Sequence, residues 1–240
     1  MSADGLSGRI AVVTGALGNL GPVWTAALAD AGARVVGVDV RAGDGVLQAD
    51  VTDRAALERV LADVGAPSVL VNNAGIDAPP NLANDDADEG EFARTLEVNV
   101  TGLYNATEVF GRAMCEAGGG SIVNIGSLYA SVAPIPAFYD HIEPPFTKPA
   151  AYGASKAAVV NLTRYFARLW GPRGVRVNAL SPGGVRGGQD GEFVRKYSER
   201  VPLGRMAEPD DLVGALLFLA SDASAYVTGQ ELRVDGGFTA

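Results

Sequence analysis

The sequence predicts an α/β fold: one domain over residues 1–240, built on a doubly wound, mostly parallel sheet of about seven strands with helices on both faces. Three observations predict it. Short β-branched apolar runs alternate with helical patterns from one end of the chain to the other, the mark of a parallel sheet covered on both sides. A glycine-rich turn, Thr14 to Gly21, joins the first strand to the first helix. The second strand ends on an acid, Asp39, 18 residues after Gly21, which closes a βαβ unit.

The elements follow in order. Arg9 to Val13 reads as a short buried strand, Asn19 to Ala31 as a helix and Arg34 to Asp39 as the second strand. A short strand around Val46 and Leu47 precedes a helix that Thr52 caps and that runs to Val64, with Leu57, Val60, Leu61 and Val64 on its apolar face. Ser68 to Asn72 is a buried strand. Glu89 to Ala117 reads as one long helix, stopped by Gly118-Gly119-Gly120 before the strand Ser121 to Ile125. Ala150 to Trp170 is a helix, Val175 to Leu180 a strand and Ser181 to Asp190 a glycine-rich loop; helices near Glu192 to Ser198 and Pro209 to Ala220 and a strand Glu231 to Val234 complete the chain. Right-handed crossovers wind these strands into two directions from a central switch point.

Bulk properties narrow the function. The 240 residues are 48% hydrophobic and 20% charged, enough to bury a large core. A net charge of −9 with no basic stripe argues against a nucleic-acid partner. Cys115 is the sole cysteine and His141 the sole histidine, so an internal disulfide is impossible and a conventional zinc site lacks ligands; no metal is expected. Met1 to Gly8 has no charged region followed by an apolar core, and the apolar run Leu212 to Ala220, broken by Gly214, is too short to span a bilayer. The expectation is a cytoplasmic protein with no membrane partner.

Two motifs carry chemistry. In Tyr152-Gly153-Ala154-Ser155-Lys156 a phenol and an ammonium share one helix face. A phenol with a pKa of about 10 is a poor base near neutrality, and a neighbouring cation favours its ionised form; the pair is a candidate proton-transfer device. Upstream, Gly15, Gly18 and Gly21 recur at threefold spacing where a strand hands over to a helix, flanking Asn19 and Leu20. Glycines there permit a tight turn and bring free helix N–H groups to a pyrophosphate. Asp39 stands where a carboxylate accepts hydrogen bonds from the adenosine ribose and repels a 2′-phosphate, so NAD is expected over NADP, with Arg41 close by.

With Asp50-Val51, Asn72-Asn73-Ala74-Gly75, Asn99, Ser127 and Ser181-Pro182-Gly183-Gly184 in order between and after these motifs, the chain resembles the short-chain dehydrogenases/reductases essentially end to end, to Val234-Asp235-Gly236-Gly237. The resemblance implies a Rossmann fold and hydride transfer between a nicotinamide cofactor and a secondary alcohol or ketone. Asp50 and Val51 would flank the adenine, Asn73, Ala74 and Gly75 would line the dinucleotide, and Pro182 and Gly183 would border the nicotinamide, with Val185 in the same cofactor set. Tyr152 would be the general acid/base, Lys156 would lower its pKa and hold the nicotinamide ribose, Ser127 would bond the substrate oxygen, and Asn99 would position a water between Lys156 and solvent. A homodimer or homotetramer is implied, paired through the long helices Glu89 to Ala117 and Ala150 to Trp170. Two positions depart from the family pattern. Asn19 replaces a glycine, tolerable because Asn accepts left-handed backbone, and Gly187 replaces a threonine whose carboxamide contact Ser181 or a backbone group would take over.

Ser127 and Tyr152 are 25 residues apart, longer than is usual in that family. The extra segment, residues 134–149, holds Tyr139, Asp140, His141, Glu143, Pro144, Pro145 and Lys148 and is expected to wall the substrate pocket. Residues 186–206, hinged by glycines, read as a lid. Tyr139, His141, Gly184 and Arg186 are the candidate substrate contacts. The polar content points to a polyol or sugar derivative, and the wording around Ala179 to Val185 and Val201 to Met206 is similar to oxidoreductases of bacterial surface-polysaccharide and flagellin-glycan pathways. The alternatives are a 3-oxoacyl or aromatic ketone reductase and, outside enzymes, a dinucleotide-binding sensor or scaffold.

Overall fold

A computed structural model describes residues 5–77, 89–143, 146 and 148–240. Seven strands, β1 (Ile10–Thr14), β2 (Arg34–Asp39), β3 (Val46–Gln48), β4 (Val69–Asn72), β5 (Gly120–Ile125), β6 (Val175–Pro182) and β7 (Glu231–Val234), form one sheet in the order β3-β2-β1-β4-β5-β6-β7. Every pairing is parallel. Winding reverses at β1, whose Val13 pairs with Gly37 of β2 on one side and Val71 of β4 on the other. Ligands of such sheets bind beyond the carboxyl ends at this switch point.

Alternate residues of the central strands feed opposite layers. Val12, Leu70 and Ile122 pack with Leu57, Phe110 and Phe166 from α2 (Arg54–Val64), α4 (Leu103–Glu116) and α5 (Ala150–Trp170). Ala11, Val13, Val71 and Val123 pack on the other side with Trp24, Leu28, Leu216 and Leu219 from α1 (Gly21–Asp30) and α7 (Val213–Ala220). Phe110 and Phe166 are fully buried, and truncating either to Ala would cost about 3–5 kcal/mol. A third cluster, Phe138, Tyr139, Phe146, Tyr197 and Met206, seats Phe138, Tyr139 and Phe146 against α6 (Gly191–Arg200).

Several boundaries differ from expectation for local reasons. The first helix begins at Gly21 with Pro22 in its first turn, leaving Asn19 in the preceding turn. Thr52 is not the cap of α2: Asp53 accepts from the Ala56 N–H at 3.2 Å, while Thr52 donates its N–H and hydroxyl to Asp50. β6 runs through Ser181 and Pro182, because β7 pairs with both. Pro209–Leu212 is a 3-10 turn leading into α7. The long helix is interrupted: between α3 (Glu89–Leu96) and α4, residues Glu97–Gly102 form a π turn that contains Asn99. Such bulges accompany functional sites. Pro144 and Pro145 of the expected pocket wall lie outside the described residues, as does the start of the Met1–Gly8 stretch. Among the described residues, no helix is long and apolar enough to cross a membrane, and no three metal-binding side chains are grouped.

Candidate active site

A cleft of about 600 Å3 opens at the carboxyl ends of β1, β2 and β4. Gly15, Gly18, Asn19, Leu20, Asp39, Asp50, Val51, Asn73, Ala74, Gly75, Tyr152 and Lys156 all line it, so residues spread over more than half the sequence converge on one groove.

The glycine turn is held from below. Gly15 has φ +65°, and a Cβ there would lie 2.7 Å from Ala74 Cα. A Cβ on Gly21 would lie 2.4 Å from the carbonyl oxygens of Gly15 and Ala16. Asn73 Nδ2 donates to the Gly15 carbonyl at 2.8 Å, and Asn73 Oδ1 accepts from Trp24 Nε1 at 2.8 Å. Thr14 Oγ1 accepts from the N–H groups of Asn73 and Ala74. α1 starts with no side-chain cap and no acid in its first turn, so its positive end is left for an anion. The expected left-handed role of Asn19 is not found: no described residue other than glycine has positive φ, and the bend rests on Gly15.

At one end of the cleft Asp39, 5% exposed, accepts from the Leu17 N–H (2.9 Å), the Arg41 N–H (3.0 Å) and Arg41 Nε (3.1 Å). Burial opposes its ionisation, but these hydrogen bonds and the Arg41 charge outweigh it and hold the carboxyl below its ordinary range. Asp39 therefore presents a fixed negative charge at the tip of β2. A groove with this carboxylate at one end, an uncapped helix start in the middle and a phenol–ammonium pair at the other fits a dinucleotide.

At the far end α5 places Tyr152 and Lys156 one turn apart. Lys156 is buried, donates from Nζ to the Ile125 carbonyl at 2.8 Å and lies 5.6 Å from the centroid of the Tyr152 ring. Burial lowers its pKa to about 8. Burial also pushes the Tyr152 phenol up, with Asp77 adding to the rise and a hydrogen bond with Ser127 opposing it. Desolvation of the phenolate is the largest effect, so the phenol lies above its ordinary value rather than below it as expected from Lys156. Ser127 sits past β5 with extended backbone, and its Oγ also accepts from the Tyr129 N–H, so cap and hydroxyl partner of Tyr152 are one residue.

The π turn aims Asn99 at the segment after β4. Its Oδ1 accepts from the Ile76 N–H at 2.7 Å and its Nδ2 donates to the Ile76 carbonyl at 2.9 Å and to Ser155 Oγ at 3.0 Å. Ser155 in turn donates to the Tyr152 carbonyl at 2.7 Å. Asn99 thus ties the cleft wall to α5. Ser155, Trp24 and Asp77 escaped the sequence reading. Ser155 lies inside the Tyr152–Lys156 motif and was legible there as a small hydroxyl on the helix, whereas nothing local marks the other two.

Other expected residues lie elsewhere. Pro182, Gly183 and Val185 do not line this cleft; Gly183 and Gly184 border a separate cavity of about 190 Å3 beside Tyr197. Ser181 cannot replace the missing threonine, since it is fully buried and donates to Glu231 at 2.9 Å. Tyr139 is buried against Phe146 and Phe193 rather than presented to a substrate. His141 bonds Asp190 at 2.8 Å, tying residues 134–149 to the lid. Gly184 donates its N–H to the Tyr197 hydroxyl, and exposed Arg186 faces Glu208 at 3.6 Å.

Fold and cleft define a nicotinamide-dependent oxidoreductase acting on CH–OH groups. Residues 15–239 match the family model described as enoyl-(acyl carrier protein) reductase. The chain is 38% identical to galactitol 2-dehydrogenase (L-tagatose-forming) of Cereibacter sphaeroides, covering 98% of this chain and 96% of that one. A short-chain dehydrogenase from Leptospira borgpetersenii with bound NAD+ superposes with a TM-score of 0.91 at 33% identity, over 99% of this chain and 95% of that one. A gluconate 5-dehydrogenase from Burkholderia cenocepacia in complex with NADP and tartrate gives 0.87 at 32% identity, over 100% and 99%. The chain belongs to the short-chain dehydrogenase/reductase family. It interconverts a secondary alcohol and a ketone with a nicotinamide cofactor.

Proposed function

We propose that the substrate is a polyol or sugar derivative and that NAD is used in preference to NADP. The observation that carries the cofactor choice is Asp39, ionised and immobilised at the ribose end of the cleft; a 2′-phosphate there would meet its charge at close range. The polyol reading draws on the likeness to galactitol 2-dehydrogenase and gluconate 5-dehydrogenase and on the polar content of residues 134–149.

Bound nicotinamide supplies the hydride acceptor, and its positive charge in the oxidised form favours an anion beside it. Tyr152 takes the substrate hydroxyl proton during oxidation and returns one during reduction. Ser127, already bonded to the phenol, holds the substrate oxygen beside it. Lys156 holds the nicotinamide ribose and stabilises the phenolate, while Asn99 keeps the Ile76 wall against α5 and positions the water that links Lys156 to solvent. Asp50 and Val51 flank the adenine, and Asn73 to Gly75 line the dinucleotide. Residues 134–149 and the lid at 186–206 close the substrate side. Exposed Tyr104, Tyr165 and Leu169 on α4 and α5 suit pairing of this cytoplasmic protein into a dimer or tetramer.

The likeness to the 3-oxoacyl-[acyl-carrier-protein] reductase of Thermotoga maritima, 33% identical over 97% of this chain and 98% of that one, favours the second reading, a 3-oxoacyl or aromatic ketone reductase. Paired fluorescence titrations with NADH and NADPH, followed by a rate screen of polyols, sugar acids and 3-oxoacyl thioesters, test both. Selective NADH binding with polyol oxidation is expected; NADPH selectivity with thioester reduction would replace the first reading by the second.

A further inference from the structure

The roles assigned above leave one ammonium beside the phenol without a part. Lys148, two residues before α5, carries its Nζ to 5.1 Å from the centroid of the Tyr152 ring and 5.7 Å from that of Tyr129. The same Nζ forms an ion pair with Asp77, 71 residues earlier in the chain, on the segment that follows β4 and lines the cleft. The Lys148 and Asp77 side chains are 15% and 35% exposed, so this pair is screened less than a free surface pair. It crosses the mouth of the cleft: one partner belongs to residues 134–149, the other to the cofactor side.

Among the described residues, the groups facing Tyr152 are then two cations, Lys148 and Lys156, one anion, Asp77, and the hydroxyls of Ser127 and Tyr129, with Tyr139 bonded behind Tyr129. A cation near a phenol favours its ionised form and an anion disfavours it. We propose that Lys148 and Asp77 are positioning residues for the reaction: as a pair they fasten residues 134–149 across the cleft mouth, and through the balance of their charges they set how readily Tyr152 gives up its proton. This rests on Tyr152 being the proton acceptor. A pair that only fastened the loop would respond alike to loss of either partner. A pair that also tunes the phenol must respond with opposite signs.

The test compares Lys148→Met, Asp77→Asn and the double variant with the wild type. In cofactor-free protein, hydrogen exchange at the Phe138, Tyr139 and Ile142 amides, each bonded to a carbonyl within the loop, is expected to quicken in both single variants. In NAD-dependent alcohol oxidation, the ascending limb of the pH profile of kcat/KM is expected to move up by on the order of half to one pH unit in Lys148→Met, and down by a similar amount in Asp77→Asn. The double variant should fall between them. Displacements of the same sign, or none, would overturn the tuning role, and unchanged exchange would overturn the fastening role. If the wild type oxidises no alcohol with either cofactor, it is the proposed function that fails, and the exchange measurement still decides the fastening.

Discussion

Replacing Gly15 by Ala probes the joint between sheet and cofactor turn. Its φ of +65° costs an L residue about 1–2 kcal/mol. The added Cβ would also lie 2.7 Å from Ala74 Cα and 2.8 Å from Ala74 N. Both are backbone atoms, so no side-chain rotation relieves the contact, and the Asn73 bond to the Gly15 carbonyl resists separation of the two segments. Overpacking of this kind adds about 1–3 kcal/mol, for a total of about 2–5 kcal/mol. At about 2–4 °C per kcal/mol for a chain of this size, Tm should fall by about 4–20 °C, and NADH binding should weaken with it. Gly45 is the control: its φ is +70° with nothing within 4 Å of a Cβ. Gly45→Ala therefore pays the strain alone, about 2–8 °C. Thermal unfolding by circular dichroism and a fluorescence titration with NADH measure both quantities. Equal Tm losses in the two variants, with NADH affinity intact in Gly15→Ala, would refute the reasoning.

Tyr152→Phe should keep NADH binding and lose turnover by about 10² to 10⁴; a steady-state rate within a few-fold of wild type would remove Tyr152 from the chemistry. Asp39→Asn deletes the charge at the ribose end and releases Arg41 from its ion pair, so the ratio of NADPH to NADH affinity should rise by about 10- to 100-fold, and an unchanged ratio in paired titrations would contradict the assigned role. Burial lowers the Lys156 pKa to about 8 from its ordinary 10.5, so between these values the unfolded chain binds a proton that the folded chain releases, and stability rises with pH. The penalty for burying the ammonium is full below pH 8 and gone by about 10.5. Lys156→Met should accordingly gain on wild type in urea unfolding at pH 7 and lose that advantage toward pH 10.5; a gap that widens with pH would show that burial is not the cause.

Much of the architecture is written locally. The ranges of α5 and β7 coincide with the sequence reading, because Pro149 and Gly171 bracket the helix and β7 is a short run between turn residues. The glycine turn and its acid were legible for the same reason: they act through backbone shape and strand-end position, which a sequence pattern carries, and Gly15, Gly18 and Asp39 line the cleft. The π turn was not, since the helical run through Asn99 contains no proline or glycine pair to announce it. Nor was the start of α2, where Thr52 and Asp53 both satisfy the cap pattern and only the geometry of Asp50 decides between them.

The substrate side marks the limit. Tyr139, His141 and Arg186 are residue types that contact substrates, yet Tyr139 is drawn into an aromatic cluster and His141 bonds Asp190, 49 residues away. Ser181 is consumed by Glu231, and Lys148 meets Asp77 across 71 residues. Order of elements, cofactor class and the proton-transfer motif rest on interactions within a few residues, and the chain alone determines them. Which side chains face the reacting carbon, and which charges surround Tyr152, depend on contacts between distant segments, and those exist only once the sheet and its loops have closed around the cleft.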